Sequence, residues 1–356
     1  MRIVDVEKPK ENADLKEDGK PKFYADYTTD PLEIDRKTIL PRKIFWYYKN
    51  LLKQKKLFKQ IEAYRKELDI KVFIGVFGGV LPLVFYLNEK PRRASVIFSN
   101  MDSWFSEVHN DMKKLWYRKY YSFNFALENS DYIDFLSPFI VEGVKKRNVK
   151  IKENSIVIAP CSFTDYEKCR IGDKSRFEIA FCSRLEPDKN PMMFLEAAKL
   201  IHKKYPETKF HLLGEGTLVY EIDNFIKQNY LQTAVNFQFH KNPPEIFANT
   251  RVFVSLQKNT NYPSQSALEA MACGNAIVAS DTGDTNLFIN NENGLLIKLS
   301  IEELAQALES LINNSELTRK LGKNARDFTT KNHTIEKYTA YLTELINEAY
   351  NKNFKK

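Results

Sequence analysis

Two cations, Arg184 and Lys189, stand five positions apart in the string SRLEPDK, and together they could hold a diphosphate. The apolar run over residues 177–183 predicts a strand, so both side chains should lie just beyond its carboxyl end. Arginine gives forked hydrogen bonds to phosphate oxygens, whereas lysine supplies a mobile point charge. Surface Arg and Lys at this spacing are common, so the pair also fits an ordinary solvated loop.

A second motif, Gly214, Glu215 and Gly216, closes the predicted strand over residues 209–213. Glycine has no side chain, so the backbone at such a position can approach a ligand closely. The spacing is not GxGxxG, and a dinucleotide-binding fingerprint is therefore not supported. We include the three residues among the candidates for binding a nucleotide sugar.

The third motif is PSQSALEAMACG, which contains Ser264, Gln265 and Ser266. The amides of these three residues are expected to open a helix and present N–H groups to an anion. Glu269, one turn further on, could accept hydrogen bonds from the vicinal hydroxyls of a ribose. An alternative stays open, because Ser266 and Glu269 also fit a capping box, in which Glu269 only satisfies the start of the helix.

The elements that would position these motifs alternate clearly in the second half. Helices are predicted over residues 191–204 and 217–228, and strands over residues 177–183, 209–213, 235–239, 252–256, 276–279 and 295–297. This order implies a parallel, doubly wound sheet. The first half repeats the pattern more weakly, with candidate strands over residues 3–6, 72–76, 95–98, 133–136 and 156–158.

The 356 residues exceed what one hydrophobic core usually serves, so two domains are expected. We predict an α/β chain of two doubly wound Rossmann-like domains that face each other across a cleft, residues 1–170 and residues 171–356. A helix over residues 335–350 could cross back to the first domain. Ligands of open α/β sheets bind beyond the carboxyl ends of the strands, so the cleft is the expected site.

Cysteine usage and the N-terminus predict a cytoplasmic protein without disulfides. The four cysteines show no CxxC spacing, and MRIVDVEKPKEN contains no apolar signal segment. The run VFIGVFGGVLPLVFYL, residues 72–87, is uncharged and almost long enough to span a bilayer. Gly78, Gly79 and Pro82 break it into a strand, a turn and a helix start, so we interpret it as a soluble βα unit.

The net charge of +8 is concentrated in the first half. The stretch RKIFWYYKNLLKQKKLFK, which begins at Arg42 and ends at Lys59, carries seven basic side chains and no acidic one. This composition suits a helix on an anionic membrane surface, which would place the protein peripherally at the inner face of the membrane. A helix that packs its apolar stripe on its own domain fits equally well. No nucleic-acid motif accompanies these cations, so no nucleic-acid partner is expected.

The strings SRLEPDKNPMMFLEAAKLI, HLLGEGT and SALEAMACGNAIVASDTGDTNLFINNENGLLI resemble the C-terminal domain of the retaining family-4 glycosyltransferases, which have the two-Rossmann GT-B fold. The resemblance covers about residues 177–323 and is faint before them. It implies transfer of a sugar from a nucleotide-diphosphate sugar to a glycan or lipid-linked acceptor, with retention at the anomeric carbon. It also implies a role in cell-surface polysaccharide synthesis, with no metal and no cofactor beyond the nucleotide sugar.

The resemblance assigns roles position by position. Arg184 and Lys189 match the pair that neutralises the leaving diphosphate, and the amides of Ser264 and Gln265 match the phosphate-binding turn. Glu269 matches the second glutamate of the family's E-x7-E motif, which contacts the ribose. The assignment is physically coherent, because preformed cations and amide dipoles stabilise the negative charge that develops on a departing diphosphate.

The sequence departs from the family at three places. Asn261 stands where the first glutamate of E-x7-E belongs, and SNMDSWF follows the strand ASVIF where a histidine is expected, which leaves Asn100 or Asp102 there. No Gly-Gly loop follows the first candidate strand, over residues 3–6. Asn261 and Asp102 therefore enter as candidate catalytic residues. Two alternatives stay open: a catalytically impaired GT-B subunit that binds a nucleotide or a partner, and a nucleotide-sugar epimerase or sugar phosphorylase on the same fold.

Overall fold

The computed structural model describes residues 40–100, 123–146, 150–164 and 166–355. These residues form two compact units, divided after Ile158 and again after Leu342. The first unit also takes the residues from Thr343 onwards. The predicted strand over residues 3–6 lies outside the described residues.

Within the described residues, the first unit contains a four-stranded parallel sheet. Its strands, in spatial order, are β1 (Val72–Val76), β2 (Ser95–Asn100), β3 (Tyr132–Phe135) and β4 (Ile156–Ile158). Its helices are α1 (Leu40–Leu68), α2 (Val84–Leu87), α3 (Phe123–Asn129) and α4 (Pro138–Lys146). The four predicted strands within this range are confirmed, with ends that differ by at most two residues.

The uncharged run VFIGVFGGVLPLVFYL folds as the sequence predicts, as strand β1, a 3-10 turn over Phe77–Leu83 and the short helix α2. The turn packs directly against the strand, because a Cβ added at Gly75 would lie 2.5 Å from the Cα of Val80. Among the described residues, no helix is both long enough and apolar enough to cross a membrane.

Helix α1 packs an apolar stripe against the core of its own unit, through Leu51, Phe58 and Ile61. Glu62 fixes the contact, because its carboxylate accepts hydrogen bonds from Tyr86 Oη at 2.8 Å and from Arg65 Nε at 2.7 Å. The hydrogen bond from Arg65 is the main reason that the pKa of Glu62 is lowered. From Leu51 onwards, this basic helix therefore packs on its own unit, as the second of the two interpretations of the sequence predicts.

The second unit contains a six-stranded parallel sheet in the order β10-β9-β8-β5-β6-β7. The strands are β5 (Glu178–Cys182), β6 (Lys209–Leu213), β7 (Val235–Gln238), β8 (Val252–Ser255), β9 (Ala276–Ser280) and β10 (Gly294–Ile297). All six were predicted to within two residues at either end. The first strand of the unit, β5, pairs with both β6 and β8, so the topological switch point lies between β5 and β8.

Helices cover both faces of this sheet. They are α5 (Pro191–Lys204), α6 (Val219–Gln228), α7 (Pro244–Phe247), α8 (Gln265–Ala272), α9 (Ile301–Asn313) and α10 (Ser315–Asn332). Side chains alternate between the faces of a strand, and accordingly Ile179 and Phe181 lie in one buried cluster while Ala180 lies in another. Strands β8 and β9 are buried along their whole length, as the central strands of a parallel sheet covered on both faces should be.

The last helix, α11 (Ile335–Phe354), begins in the second unit, and its final turns belong to the first. Asn353 Nδ2 donates to Asp131 Oδ1 at 2.9 Å, and Ser95 Oγ donates to the carbonyl of Ala349 at 2.6 Å. The ammonium of Lys352 lies 4.4 Å from the centre of the Tyr132 ring. These contacts attach the end of the chain to strands β2 and β3.

The division after Ile158 precedes the predicted one, after residue 170, by twelve residues. The segment that follows Ile158 packs on the second unit, since Thr164 N donates to the carbonyl of His333 at 3.3 Å. Tyr166 Oη donates to the carbonyl of Thr329 at 2.7 Å. Both acceptors lie at the end of α10. The local sequence pattern gives no sign of this contact, because the two segments are some 165 positions apart along the chain.

His333 makes the stability of the protein depend on pH. Its side chain is 4 % exposed, and burial lowers its pKa from 6.5 to about 4. Between these values the unfolded chain binds a proton that the folded chain does not, so the free energy of unfolding should fall as the pH drops from 6.5 towards 4. We expect a loss of up to about 3 kcal/mol. Urea unfolding of the wild type and His333→Phe over this range measures it, and an unchanged pH slope in the variant would contradict this assignment.

Candidate functional site

The loop after β5 carries the first two candidate residues of the site. Arg184 is exposed, and Lys189 ends the 3-10 turn Pro187–Lys189. The Lys189 side chain is only 17 % exposed, because its ammonium donates to Gln257 Oε1 at 2.7 Å and lies 3.2 Å from Asp188 Oδ2. The two predicted cations are therefore placed beyond the carboxyl end of the central strand.

Hydrogen bonds tie this loop to the segment after β8, across the switch point of the sheet. Lys258 N donates to the carbonyl of Asp188 at 3.0 Å, and Asn190 Nδ2 donates to the carbonyl of Leu256 at 2.7 Å. Asn190 has a left-handed backbone (φ 54°), a conformation that asparagine tolerates, and α5 begins at the next residue. The two strand ends of the switch point thus form one rigid edge.

Gly214 and Gly216 allow the loop after β6 to approach the loop after β5. A Cβ at Gly214 would lie 1.9 Å from the carbonyl oxygen of Ser183, and one at Gly216 would lie 2.4 Å from that of Leu185. Leu185 N donates to the carbonyl of Glu215 at 2.7 Å. From the sequence, we expected a ligand to approach the backbone at these glycines. In the structure, the backbone of the loop after β5, beside Arg184, occupies that space.

Helix α8 begins at Gln265, and its N-cap is Ser264, whose Oγ accepts from the amide of Ala267 at 3.3 Å. Ser266 instead donates through its Oγ to the carbonyl of Cys182 at 2.9 Å, at the end of β5. The capping-box interpretation is therefore wrong. The cap lies two residues earlier than that interpretation requires, and Glu269 lies in the second turn, beyond the reach of the first amides.

Glu269 lies near the same strand end. Burial, and secondly the negative charge of Glu269, raise the pKa of the Cys182 thiol to about 12. The Glu269 side chain is half-buried. Gln265 Nε2 donates to Thr164 Oγ1 at 3.1 Å. The start of α8 and Glu269 thus lie at the edge that also carries Arg184 and Lys189.

Asn261 is 1 % exposed, and its amide bonds only to protein groups among the described residues. Its Oδ1 accepts from Ser255 Oγ at 2.6 Å and from the amide of Gln257 at 3.3 Å. Its Nδ2 lies 2.9 Å from the carbonyl oxygen of Ser280 and 2.9 Å from Thr285 Oγ1. The structure therefore gives Asn261 the role of tying together the ends of β8 and β9.

The N-terminal candidate, Asp102, lies outside the described residues. The strand before it, β2, ends at Asn100, and Ser99 Oγ donates to the buried carboxylate of Asp134 on β3 at 2.9 Å.

The sequence analysis missed two polar residues near strand ends: Asp134 in the first unit and Gln257 in the second. A polar residue at or just beyond the end of an apolar strand is the signal that could have found them.

His, Cys, Asp and Glu are the side chains that usually bind metal ions in proteins, and the described ranges contain all four. No group of three or more His, Cys, Asp or Glu residues there is arranged to hold a metal ion. The polar groups at the edge of β5 and β8 are instead a guanidinium, an ammonium, helix amides and the carboxylates of Asp188 and Glu269. Such a set suits an anion that carries hydroxyl groups.

Comparison with solved structures gives the class of the fold. TarM of Staphylococcus aureus aligns with a TM-score of 0.64 at 20 % identity, over 80 % of this chain and 57 % of that one. Alr3699/HepE of Anabaena, solved in complex with UDP, aligns with a TM-score of 0.68 at 15 % identity, over 82 % of each chain. Together with the two parallel sheets, these matches show the GT-B fold of glycosyltransferases.

Sequence comparison then gives the domain: residues 167–328 match the family "Glycosyl transferases group 1". The poly(ribitol-phosphate) alpha-N-acetylglucosaminyltransferase of Staphylococcus aureus (strain COL) is 30 % identical over 48 % of this chain and 34 % of its own length. An Escherichia coli UDP-Gal:alpha-D-GlcNAc-diphosphoundecaprenol alpha-1,3-galactosyltransferase is 29 % identical over 48 % of this chain and 46 % of its own. This chain spans roughly a third to three fifths of the first curated relatives' length. The matches support a glycosyltransferase family.

Asn261→Asp should destabilise the protein although it changes a single atom. A carboxylate cannot donate to the Ser280 carbonyl, and it would bring a buried charge against that oxygen. We expect a loss of about 3 kcal/mol or more in the free energy of unfolding, measured by urea denaturation. Asn259→Asp, the same change at an exposed residue two positions earlier, is the matched control. Equal stability of the two variants would contradict the tying role of Asn261.

Proposed function

We propose that this chain is a retaining, metal-independent family-4 glycosyltransferase. It moves a sugar from a nucleotide-diphosphate sugar to a glycan or lipid-linked acceptor, in the synthesis of a cell-surface polysaccharide. The observation that carries the proposal is the convergence of Arg184, Lys189, the start of α8 and Glu269 at one edge of the second sheet. No single member of this set is specific, but together they match a nucleoside diphosphate in charge and in hydrogen-bonding groups.

The diphosphate would lie between the loop after β5 and the start of α8. Arg184 and the remaining donor capacity of Lys189 supply positive charge, and the amides of Gln265 and Ser266 are the first N–H groups of the helix that an anion would meet. Breaking the glycosyl-phosphate bond builds negative charge on the leaving diphosphate, and these groups are already in place to stabilise it. They supply the positive charge for which other enzymes recruit Mg²⁺.

Glu269 is the proposed contact to the ribose. Its carboxylate lies near the end of β5, one helical turn from the amides that would meet the phosphates, and an ionised carboxylate accepts hydrogen bonds from two vicinal hydroxyls. This placement beside the strand end, one turn after the helix start, supports ribose binding by Glu269.

The class of acceptor is proposed from the relatives. The Escherichia coli enzyme acts on a diphosphoundecaprenol-linked sugar, and a Campylobacter jejuni relative, 27 % identical over 55 % of this chain, acts on a PP-undecaprenol-linked one. A lipid-linked acceptor would bring the enzyme to the cytoplasmic face of a membrane. Helix α1 offers a surface for this, because Lys55, Lys56 and Lys59 are exposed and Leu52 is 65 % exposed.

A binding subunit without activity is the second candidate, and Asn261 is the observation that favours it. The residue at the position of the family's first glutamate is an asparagine, whose amide carries no charge to present to a donor sugar, and it is buried and bonded to protein groups. Product analysis separates the candidates. A transferase releases nucleoside diphosphate only when an acceptor is present, an epimerase releases an altered nucleotide sugar, and a binding subunit releases neither.

Arg184→Ala and Lys189→Ala should each weaken UDP binding far more than uridine binding. A charge-assisted hydrogen bond contributes about 1.5 to 3 kcal/mol, so each variant should lose roughly ten- to a hundredfold in affinity for UDP. Isothermal titration calorimetry measures both ligands, and Lys203→Ala, an exposed lysine at the far end of α5, is the control. Wild-type affinity for UDP in both site variants would overturn the diphosphate assignment.

Replacing Lys53, Lys55, Lys56 and Lys59 with Gln tests the membrane surface on α1. Each cation near an anionic bilayer contributes about 1 kcal/mol, so the fourfold variant should lose at least tenfold in binding to phosphatidylserine-containing vesicles. UDP binding should be unchanged. Co-sedimentation at low and high salt is the measurement.

The control for this experiment replaces four exposed lysines of the second unit, Lys203, Lys227, Lys241 and Lys298, with Gln. Both variants have the same net charge, so only a local surface distinguishes them. Equal partitioning of the two variants, or no partitioning of the wild type, would contradict membrane binding through α1.

A further inference from the structure

Gln257 holds the ammonium of Lys189 at the switch point of the second sheet. The two residues stand 68 positions apart, and Lys189 Nζ lies 2.7 Å from Gln257 Oε1. We infer that Gln257 is a positioning residue that places this ammonium for the diphosphate of the donor. The inference rests on the proposed function, because it assumes that Lys189 meets a diphosphate.

A lysine needs such a partner more than an arginine does. Its charge sits at the end of a flexible four-carbon stem, so the ammonium has many positions available unless a neighbour fixes it. Two acceptors compete for it here: the Gln257 oxygen at the end of β8, and the carboxylate of Asp188 at 3.2 Å, whose side chain is 49 % exposed. Gln257 draws the ammonium towards the sheet and away from bulk water.

The Gln257 partner is neutral, so it adds no negative charge to that of the half-exposed Asp188. The amide oxygen takes one of the three ammonium donors, Asp188 takes a second, and the third is left for an incoming anion. A glutamate at position 257 would reach equally far but would put a second carboxylate beside the ammonium and repel the diphosphate. An amide of this length therefore fixes Lys189 without adding to the negative charge around it.

The backbone of Gln257 is itself held on both sides. Its N–H donates to Asn261 Oδ1 at 3.3 Å, and its carbonyl accepts from Ser280 Oγ at 2.8 Å and from Thr282 Oγ1 at 3.0 Å. Asn261 is buried and also binds the Ser280 carbonyl. Gln257 thus connects the Lys189 ammonium, through these hydrogen bonds, to the buried ends of β8 and β9.

The test compares Gln257→Met, which keeps the length and removes the acceptor, with Gln257→Glu, which adds a charge. We expect Gln257→Met to weaken UDP binding about three- to tenfold and Gln257→Glu to weaken it further, the latter loss shrinking at high salt. Uridine binding and the melting temperature should stay at wild-type values. Gln232→Met, the same change at an exposed residue, is the matched control.

A double variant shows whether Gln257 acts through Lys189. If it does, Gln257→Met combined with Lys189→Ala should bind UDP no more weakly than Lys189→Ala alone. Additive losses, or unchanged UDP binding in Gln257→Met while Lys189→Ala binds weakly, would overturn the positioning role and leave the proposed function intact. If Lys189→Ala binds UDP like the wild type, Lys189 does not meet the diphosphate and the inference fails, whereas the diphosphate assignment fails only if Arg184→Ala also binds UDP like the wild type.

Discussion

The candidate site depends on the hydrogen bonds that join the strand ends at the switch point of the second sheet. A parallel sheet leaves the carboxyl ends of its strands without ladder partners, and the segments that follow must find other acceptors and donors. Here the buried amide of Asn261 ties the ends of β8 and β9, and backbone and side-chain hydrogen bonds tie the loop after β5 to the segment after β8. The result is an edge whose polar groups are preorganised before any ligand arrives.

Preorganisation matters because of the chemistry proposed for this edge. A departing diphosphate is stabilised most by charges and dipoles that need not move when the negative charge develops. A long, flexible lysine would otherwise pay conformational entropy on binding, and its hydrogen bond to Gln257 has already restricted it in the free protein. The close approach of the loops after β5 and β6, made possible by Gly214 and Gly216, restrains the surroundings of Arg184 in the same way.

The first unit depends on a different kind of constraint. Helix α1 and the last turns of α11 are both fixed to it by carboxylates, Glu62 for α1 and Asp131 for α11. Each carboxylate is largely buried and accepts hydrogen bonds from several donors, which is the condition under which a buried acid is stabilising rather than costly. Lys55, Lys56 and Lys59 of α1 are exposed and take no part in these hydrogen bonds with Glu62. These three cations are therefore placed to serve a surface role.

Much of the fold could be predicted because its signals are local. The helix Pro191–Lys204 and the strand Lys209–Leu213 begin and end where the sequence predicts, since a proline, a periodic apolar pattern and a following glycine specify them. The positions of Arg184 and Lys189 just beyond a strand were predictable for the same reason. The GT-B fold followed from motifs whose order and spacing are contained in a single stretch of chain.

The site itself could be predicted only as a set of candidates. Ser264 and Ser266 are both good N-cap residues, and the sequence left a capping box at Ser266 open; the structure places the cap at Ser264, because Ser266 donates to the carbonyl of Cys182 on a distant strand. The burial of Asn261 and the pairing of Gln257 with Lys189 join residues of different strands in the same way. By itself, the sequence determined which residues stand at the strand ends and what chemistry their types allow. Only the tertiary structure decided which of them face one another, because that depends on the order of strands in the sheet rather than along the chain.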